Sequence, residues 1–347
     1  MAATLREISQ RLKLSESTVS LVLNGKQFHR VAPKTRERIE RAAREMDYAP
    51  SRSAQSLARG KTMAIGVIVN DLSNPFFGGY ASLIERRLAE FGYHTVPAEK
   101  RGSLETEARI LRWLPQRYLD GMIKLEYSDF GPLGEVYERL SGDLPVVVRA
   151  VDDDGGGPRE CPFPSVAVDY SVGTFQLFTH LRQTGRQRLS MLLHRGQKPG
   201  EAGGKSRHAE AIAAQLKTAG LSVPASRWFE EEEDAPLMRW YDLARRVLAQ
   251  QPDTDALFVH NAAVVAPVLQ AVADAGRRIG GDVAVATYDD PPSLQWMRPG
   301  VTVVREPMER VAEDLVDMLL ARLLGRQRQS FSQTVPTELV IRGSTVA

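Results

Sequence analysis

The chain has 347 residues, 43% of them hydrophobic and 25% charged, with a net charge of +2. That length suffices for a small head and a body with two cores. With one cysteine, Cys161, no charged-apolar-small leader and no apolar run long enough to span a bilayer, the expected compartment is a reducing cytoplasm, and secretion or membrane insertion is disfavoured.

Thr4 followed by Glu7 is a capping box, and Leu5, Ile8 and Leu12 fall on one helical face, which predicts a first helix over 4–12. Ser15 is placed to cap a second helix through the N–H of Ser17 or Thr18, with Leu14 stapling onto Val19, and Asn24-Gly25 ends it. Val19, Val22 and Leu23 face inward, leaving Glu16, Ser17, Ser20 and Leu21 outside. This is a helix-turn-helix pattern, and a second helix laid in the major groove reads bases with that outer face. Paired short helices also occur in folds that never touch DNA.

Pro33 suits the first position of a third helix, in which Ile39, Ala42, Ala43 and Met46 repeat at helical spacing, and Leu5, Ile8, Val19, Val22, Ile39 and Met46 can share one core. Residues 1–62 hold 13 Lys/Arg against six Asp/Glu, a net +7, while the remainder is −5. A basic head on an acidic body suits phosphate neutralisation; a solvated basic face is the plain alternative.

Further on, β-branched apolar runs at Ile65–Val69, Met122–Leu125, Pro145–Val148, Leu189–Leu193, Ala256–Val259 and Val283–Ala286 alternate with helical patterns. The helical stretches are Phe76–Phe91, Glu105–Arg117, Ser171–Gln183, Arg207–Ala219, Pro236–Gln250, Val264–Ala275 and Met308–Leu324. Such alternation predicts parallel sheets covered by helices, and two sheets rather than one, with the loop at 152–164 as the crossover. The acidic run Glu230–Asp234 reads as a solvated loop.

The body lacks G-x-G-x-x-G after its first strand, a phosphate-binding P-loop, a G-x-S-x-G elbow and H-E-x-x-H, and its six histidines are scattered along the sequence. The pairs Asp152 to Asp154 and Asp289-Asp290 have no clustered partner, so surface or turn roles outweigh metal binding. No enzyme activity, cofactor or metal is expected.

The run TLREIS…LSESTVSLVLNG…VAPKTRERIERAAREMDYAPSRSAQSLARGKTMAIGVIVNDLSNPFF resembles the amino-terminal signature of the lactose/galactose repressor (LacI/GalR) family of bacterial transcription regulators. The likeness continues through RYLDGMI at 117–123, VAVDYSVG at 166–173, ALFVHN at 256–261, DVAVATYDD at 282–290 and PTELVIRGST at 336–345. It implies an α/β protein: a small all-α helix-turn-helix head on a two-lobed, doubly wound, periplasmic-binding-protein-like body.

The expected organisation is a DNA-binding domain at 1–50, a hinge helix or linker at 51–62 and an effector-binding and dimerisation body at 63–347. Within the body, an N-lobe spans about 63–162 plus 292–324 and a C-lobe about 163–291 plus 325–347. The candidate DNA contacts are Thr4, Ser15, Glu16, Ser17, Thr18, Ser20, Leu21 and Asn24. Ser53, Ala54 and Leu57 occupy the hinge, where the family wedges a leucine into the minor groove. The resemblance places effector contacts at Asn70, Asp71, Asn74, Phe76, Phe77, Arg207 and Asp289. Arg149, at a strand end, and Asn261 complete the candidate set.

Several positions depart from the family pattern. The turn reads Leu12-Lys13 without glycine, so Lys13 is exposed to an unfavourable backbone conformation. Leu21 replaces a base-reading arginine and cannot form a bidentate pair with guanine. Ala262 replaces a carboxylate, and Arg207-His208-Ala209-Glu210-Ala211 replaces R-x-x-G-F. With Arg207, Arg149 and Arg195 retained as donors, the balance tilts towards a sugar acid or sugar phosphate, with neutral sugars close behind. The reading is a cytoplasmic, homodimeric repressor acting on near-palindromic double-stranded DNA under control of a small molecule. A solute-binding protein of the same body fold and a regulator without effector response are the alternatives.

Overall fold

A computed structural model describes residues 3–23, 30–48, 61–114, 119–127, 133–152, 161–199, 206–232, 235–326 and 332–346. The chain divides into two compact units, residues 1–63 with 117–120, and the rest.

The first unit contains helices α1 (Leu5–Leu12), α2 (Glu16–Leu23) and α3 (Pro33–Glu45). Both arms of the capping box form: Thr4 N donates to Glu7 Oε2 at 2.7 Å, and Glu7 N to Thr4 Oγ1 at 3.3 Å. Lys13 ends α1 in the left-handed region at φ 53°, the strain expected of a turn without glycine. Ser15 Oγ accepts from Thr18 N at 3.2 Å and caps α2, and Pro33 opens α3. Ile8, Val19, Val22, Val31, Ile39, Ala42 and Ala43 form the core, with Leu5, Leu12, Leu14, Leu23 and Met46 packed against it.

The second unit is built on two six-stranded sheets. In the first, β1 (Ala64–Val69), β2 (His94–Glu99), β3 (Gly121–Tyr127), β4 (Val146–Asp152), β5 (Ser165–Asp169) and β11 (Ser332–Pro336) run parallel in the order β11-β5-β4-β3-β1-β2. In the second, β6 (Leu189–His194), β7 (Trp228–Glu231), β8 (Ala256–Val259), β9 (Ala284–Tyr288), β10 (Thr302–Arg305) and β12 (Glu338–Val340) follow the order β12-β10-β9-β8-β6-β7, with only β12 antiparallel.

Helices α4 (Pro75–Ala89), α5 (Leu104–Trp113), α6 (Gly134–Ser141), α7 (Tyr170–Gln183), α8 (Ser206–Thr218), α9 (Leu237–Gln250), α10 (Val265–Asp274), α11 (Pro292–Trp296) and α12 (Met308–Leu323) connect the strands. The second lobe's core joins Trp240, Leu243 and Val247 of α9 to Val265 and Val268 of α10 and Val283, Leu294 and Val303.

The lobe boundaries differ from those expected. The 152–164 segment is not a crossover, because β5 pairs with β4 from Val148↔Ser165 to Asp152↔Asp169 and stays in the first sheet. Residues 292–305 belong to the second lobe, where Leu294 and Val303 are buried, while β11 returns to the first. The chain changes sheets after Asp169, after Arg305 and at Thr337. There Gly173 lets α7 approach closely: a Cβ would lie 2.6 Å from both Thr337 Oγ1 and Val304 Cγ1.

The acidic run is also not simply a solvated loop. Glu231 lies in β7, is buried, and accepts from Arg239 at 2.9 Å, while Glu230 accepts from the N–H groups of Gln197 and Lys198. Residues 233 and 234 lie outside the described set.

Candidate DNA-reading face and effector cleft

On α2, Val19 and Val22 are buried; Glu16 and Ser17 are exposed, and Thr18, Ser20 and Leu21 are half-buried. The hydroxyls at the start of α2 interlock, with Ser15 Oγ 2.9 Å from Ser17 Oγ and 2.7 Å from Thr18 Oγ1. Thr4 is exposed beside its cap partner Glu7. Asn24, Ser53, Ala54 and Leu57 lie outside the described residues.

In a doubly wound body, ligands gather at the carboxyl ends of the parallel strands. Five of the predicted residues follow β1. Asn70 is buried and accepts from Gly102 N at 2.5 Å, bracing the turn after β2. Asp71 accepts from Ser73 N and Oγ at 2.8 and 2.6 Å, and the Ser73 bonds hold its carboxyl below the usual range. Asn74 caps α4 by accepting from Phe76 N at 3.0 Å. Phe76 is buried against Phe77 and Tyr80, with the Arg149 guanidinium carbon 5.1 Å from its ring centre. These contacts give every member of the group except Phe77 a clear structural duty, and Phe77 is half-buried.

Arg149 is bound by Glu306, which sequence reasoning overlooked. Its Nε donates to Glu306 Oε1 at 2.8 Å and its Nη2 to Oε2, and both side chains are buried. Tyr80 donates to Glu306 Oε1, and Tyr170 to Oε2 at 2.8 Å. Tyr170 also lies 3.3 Å from Asp289 Oδ1. A continuous polar chain thus runs from β4 and α4 of the first lobe, through the sheet-changing segments, to the end of β9.

Asp289 is held at φ 64° by its N–H bond to Val304 O at 3.0 Å, an unusual conformation for a residue with a Cβ. Burial, then the Glu306 charge, pushes its carboxyl up to about 7. Asp290 makes a two-pronged pair with Arg342 at 2.8 and 2.7 Å, so it is committed structurally rather than paired with Asp289 around an ion. Among the described residues, no three His, Cys, Asp or Glu side chains form a metal-binding group.

The histidines are less scattered in space than in sequence. His194 ends β6, His260 follows β8 and His208 lies in α8. The His208 and His260 Nε2 atoms are 2.9 Å apart, His260 packs edgewise on Tyr288 and His208 lies tilted against it, and His194 packs against His260. Asn261 caps the short turn after β8 through Ala263 N at 2.9 Å, with its Nδ2 3.3 Å from His194 Nε2. Position at a strand's carboxyl end was the signal available for His194 and His260. Arg207 is in the first turn of α8; Arg195, largely exposed, pairs with Glu232.

Residues 4–51 match the model described as bacterial regulatory proteins, lacI family, and residues 178–345 match the periplasmic binding protein-like domain. The chain carries a LacI family helix-turn-helix domain followed by a periplasmic-binding-protein-like domain. Among its LacI-type relatives, a protein of Halalkalibacterium halodurans named ribose operon repressor is 27% identical over 344 residues, covering 99% of this chain and 97% of the relative. The Escherichia coli K12 ribose operon repressor is also 27% identical, with 99% of each chain covered. The lac repressor dimer bound to operator and the anti-inducer ONPF superposes with a TM-score of 0.82 at 24% identity, covering 100% of both chains, which supports the shared fold. The chain has the helical head and two-sheet α/β body of that family.

Proposed function

We propose that this protein is a homodimeric, sequence-specific transcriptional repressor of the LacI family, released from or held on near-palindromic DNA by a small molecule in the body cleft. The observation that carries the reading is the capped α1–turn–α2 pair in a net +7 head, with Glu16 and Ser17 exposed on the second helix. A groove-reading helix on a basic head supplies both base contact and phosphate attraction. Glu16, Ser17, Ser20 and Leu21 are assigned to base reading; the Ser15–Thr18 hydroxyls position α2.

For the effector we propose a small neutral polyhydroxylated compound. Two of the three arginines favouring an anion are committed elsewhere, Arg149 to Glu306 and Arg195 to Glu232. The polar groups at the ends of β8 and β9, Asp289, Asn261 and His260, together with His208 of α8, both accept and donate hydrogen bonds, which suits hydroxyls. The names of the ribose operon repressors are consistent with such a ligand.

The test is gel retardation of a fragment from the gene's own upstream region, with the intact protein and with residues 63–347. Retardation by the intact protein alone supports the reading, and specific binding by the truncated body overturns the assignment of the head. Sedimentation at micromolar concentration checks the dimer. A thermal-shift screen of sugars, sugar acids and sugar phosphates checks the ligand class, and stabilisation by anions alone overturns the neutral reading.

A further inference from the structure

Around Tyr170, hydrogen-bond acceptors outnumber protons. Its hydroxyl lies 2.8 Å from Glu306 Oε2 and 3.3 Å from Asp289 Oδ1, and Arg149 Nη2 points at its oxygen from 3.4 Å. A phenol donates once. Glu306 also accepts from Arg149 and Tyr80, so its ionised form is the one its surroundings satisfy. When Tyr170 donates across the shorter contact to Glu306, its oxygen offers Asp289 a lone pair. Across that contact an ionised carboxylate meets another acceptor. A protonated one donates to it.

The other charges near Asp289 leave this balance intact. Glu306, at the start of the segment leading to α12, and Arg149 of β4 largely offset each other. Tyr80 of α4 donates to Glu306 and lies beside Arg149, and Asp290 is bound to Arg342 and Arg305. His208 of α8 and His260 after β8 surround the neighbouring Tyr288. Burial beside Glu306 raises the Asp289 carboxyl to about 7, in keeping with the proton count.

We propose that Asp289 stands in the effector cleft as the neutral acid, hydrogen-bonded to Tyr170, and that a ligand whose hydroxyls donate to Asp289 displaces its proton. The carboxyl O–H bond breaks, the proton leaves to solvent, and the resulting carboxylate accepts from the ligand. The second half of this proposal rests on the effector reading above; the first does not. Effector binding then strengthens with rising pH and levels off above neutrality.

Two measurements on the full chain test it. Infrared difference spectra of wild type against Asp289→Asn are expected to contain a protonated-carboxyl band at pH 6 that disappears by pH 8.5. Its absence at pH 6 overturns the proposal. Tyr170→Phe is expected to move the midpoint of the band's loss, which a tyrosine used only for packing does not do. Calorimetry with D-ribose as the probe, in buffers of different ionisation enthalpy, is expected to record proton release and about tenfold tighter binding at pH 8 than at pH 6. Binding without proton release overturns the coupling. Failure of D-ribose to bind counts against ribose as the effector, and the infrared result then decides the state of Asp289.

Discussion

Arg149 and Glu306 form a buried two-pronged ion pair that ties the middle of the first sheet to the segment leaving the second. Its neighbours Tyr80 and Tyr170 fill the remaining acceptor positions on Glu306. Removing one partner leaves the other's charge buried and uncompensated. Arg149→Ala is therefore expected to cost about 3–5 kcal/mol of folding stability, whereas Arg149→Met with Glu306→Gln costs less than either single change. Denaturant titration of the wild type and these variants checks this; a single change costing under about 1 kcal/mol contradicts the pair's burial.

Lys13 supplies a second test. Its left-handed backbone, at φ 53°, costs roughly 1–2 kcal/mol for a residue with a Cβ, while glycine brings about 0.5–1 kcal/mol of extra chain entropy to the unfolded state. Lys13→Gly is expected to stabilise the head by up to about 1 kcal/mol, read as a higher melting temperature of the helical signal. A lower one would mean that the lysine side chain holds the turn.

Asp289 links stability to pH. The carboxyl titrates at 3.8 when unperturbed and at about 7 in the fold, so between those values the folded state binds the extra proton. The stability of the protonated form is complete below pH 4 and is lost as pH rises through 7, after which the curve flattens. Asp289→Asn cannot ionise. It should be increasingly more stable than wild type from pH 4 to 7, by a few kcal/mol at most, given about 1.4 kcal/mol per pKa unit. Parallel stability curves across that range would contradict the raised value.

Leu57 tests the hinge implied by resemblance. Leu57→Ala should weaken operator binding much more than binding to random DNA, because a wedge acts only where the duplex is bent. Wild-type binding should fall on the order of 10³–10⁵-fold between 50 and 200 mM salt if the dimer meets roughly 6–10 phosphates. Equal losses on both DNAs would leave Leu57 a linker residue.

The head was legible because its signals are local: Thr4 and Glu7 are three residues apart, and Leu5, Ile8 and Leu12 share one face. The apolar strand ALFV at 256–259 was equally plain because all four residues are buried. The edge strands escaped notice. HTVPAE, WFEE, SQTVP and ELV carry polar side chains because each pairs on one side only. The lobe boundaries were misplaced because sheet membership depends on long-range pairing of β5 and β11, which leaves no local pattern. The His194–His208–His260 group was missed for the same reason: separations of 14 and 52 residues have no helical or strand period, and only the sheet brings them together.

Thr337 separates β11 of one sheet from β12 of the other, and both its N–H and its hydroxyl donate to Asp169 O at 2.9 Å. Each lobe therefore takes an edge strand from residues 332–340, far along the chain from the strands they complete. Neither sheet can be completed on the ribosome until residues 332–340 emerge, whereas the three head helices need nothing beyond residue 48. At about 5–20 residues per second, the head has a lead of roughly 15–60 s over the body that is expected to control it. The head of a nascent chain can thus be folded well before the body that is expected to pair two copies and to answer the effector.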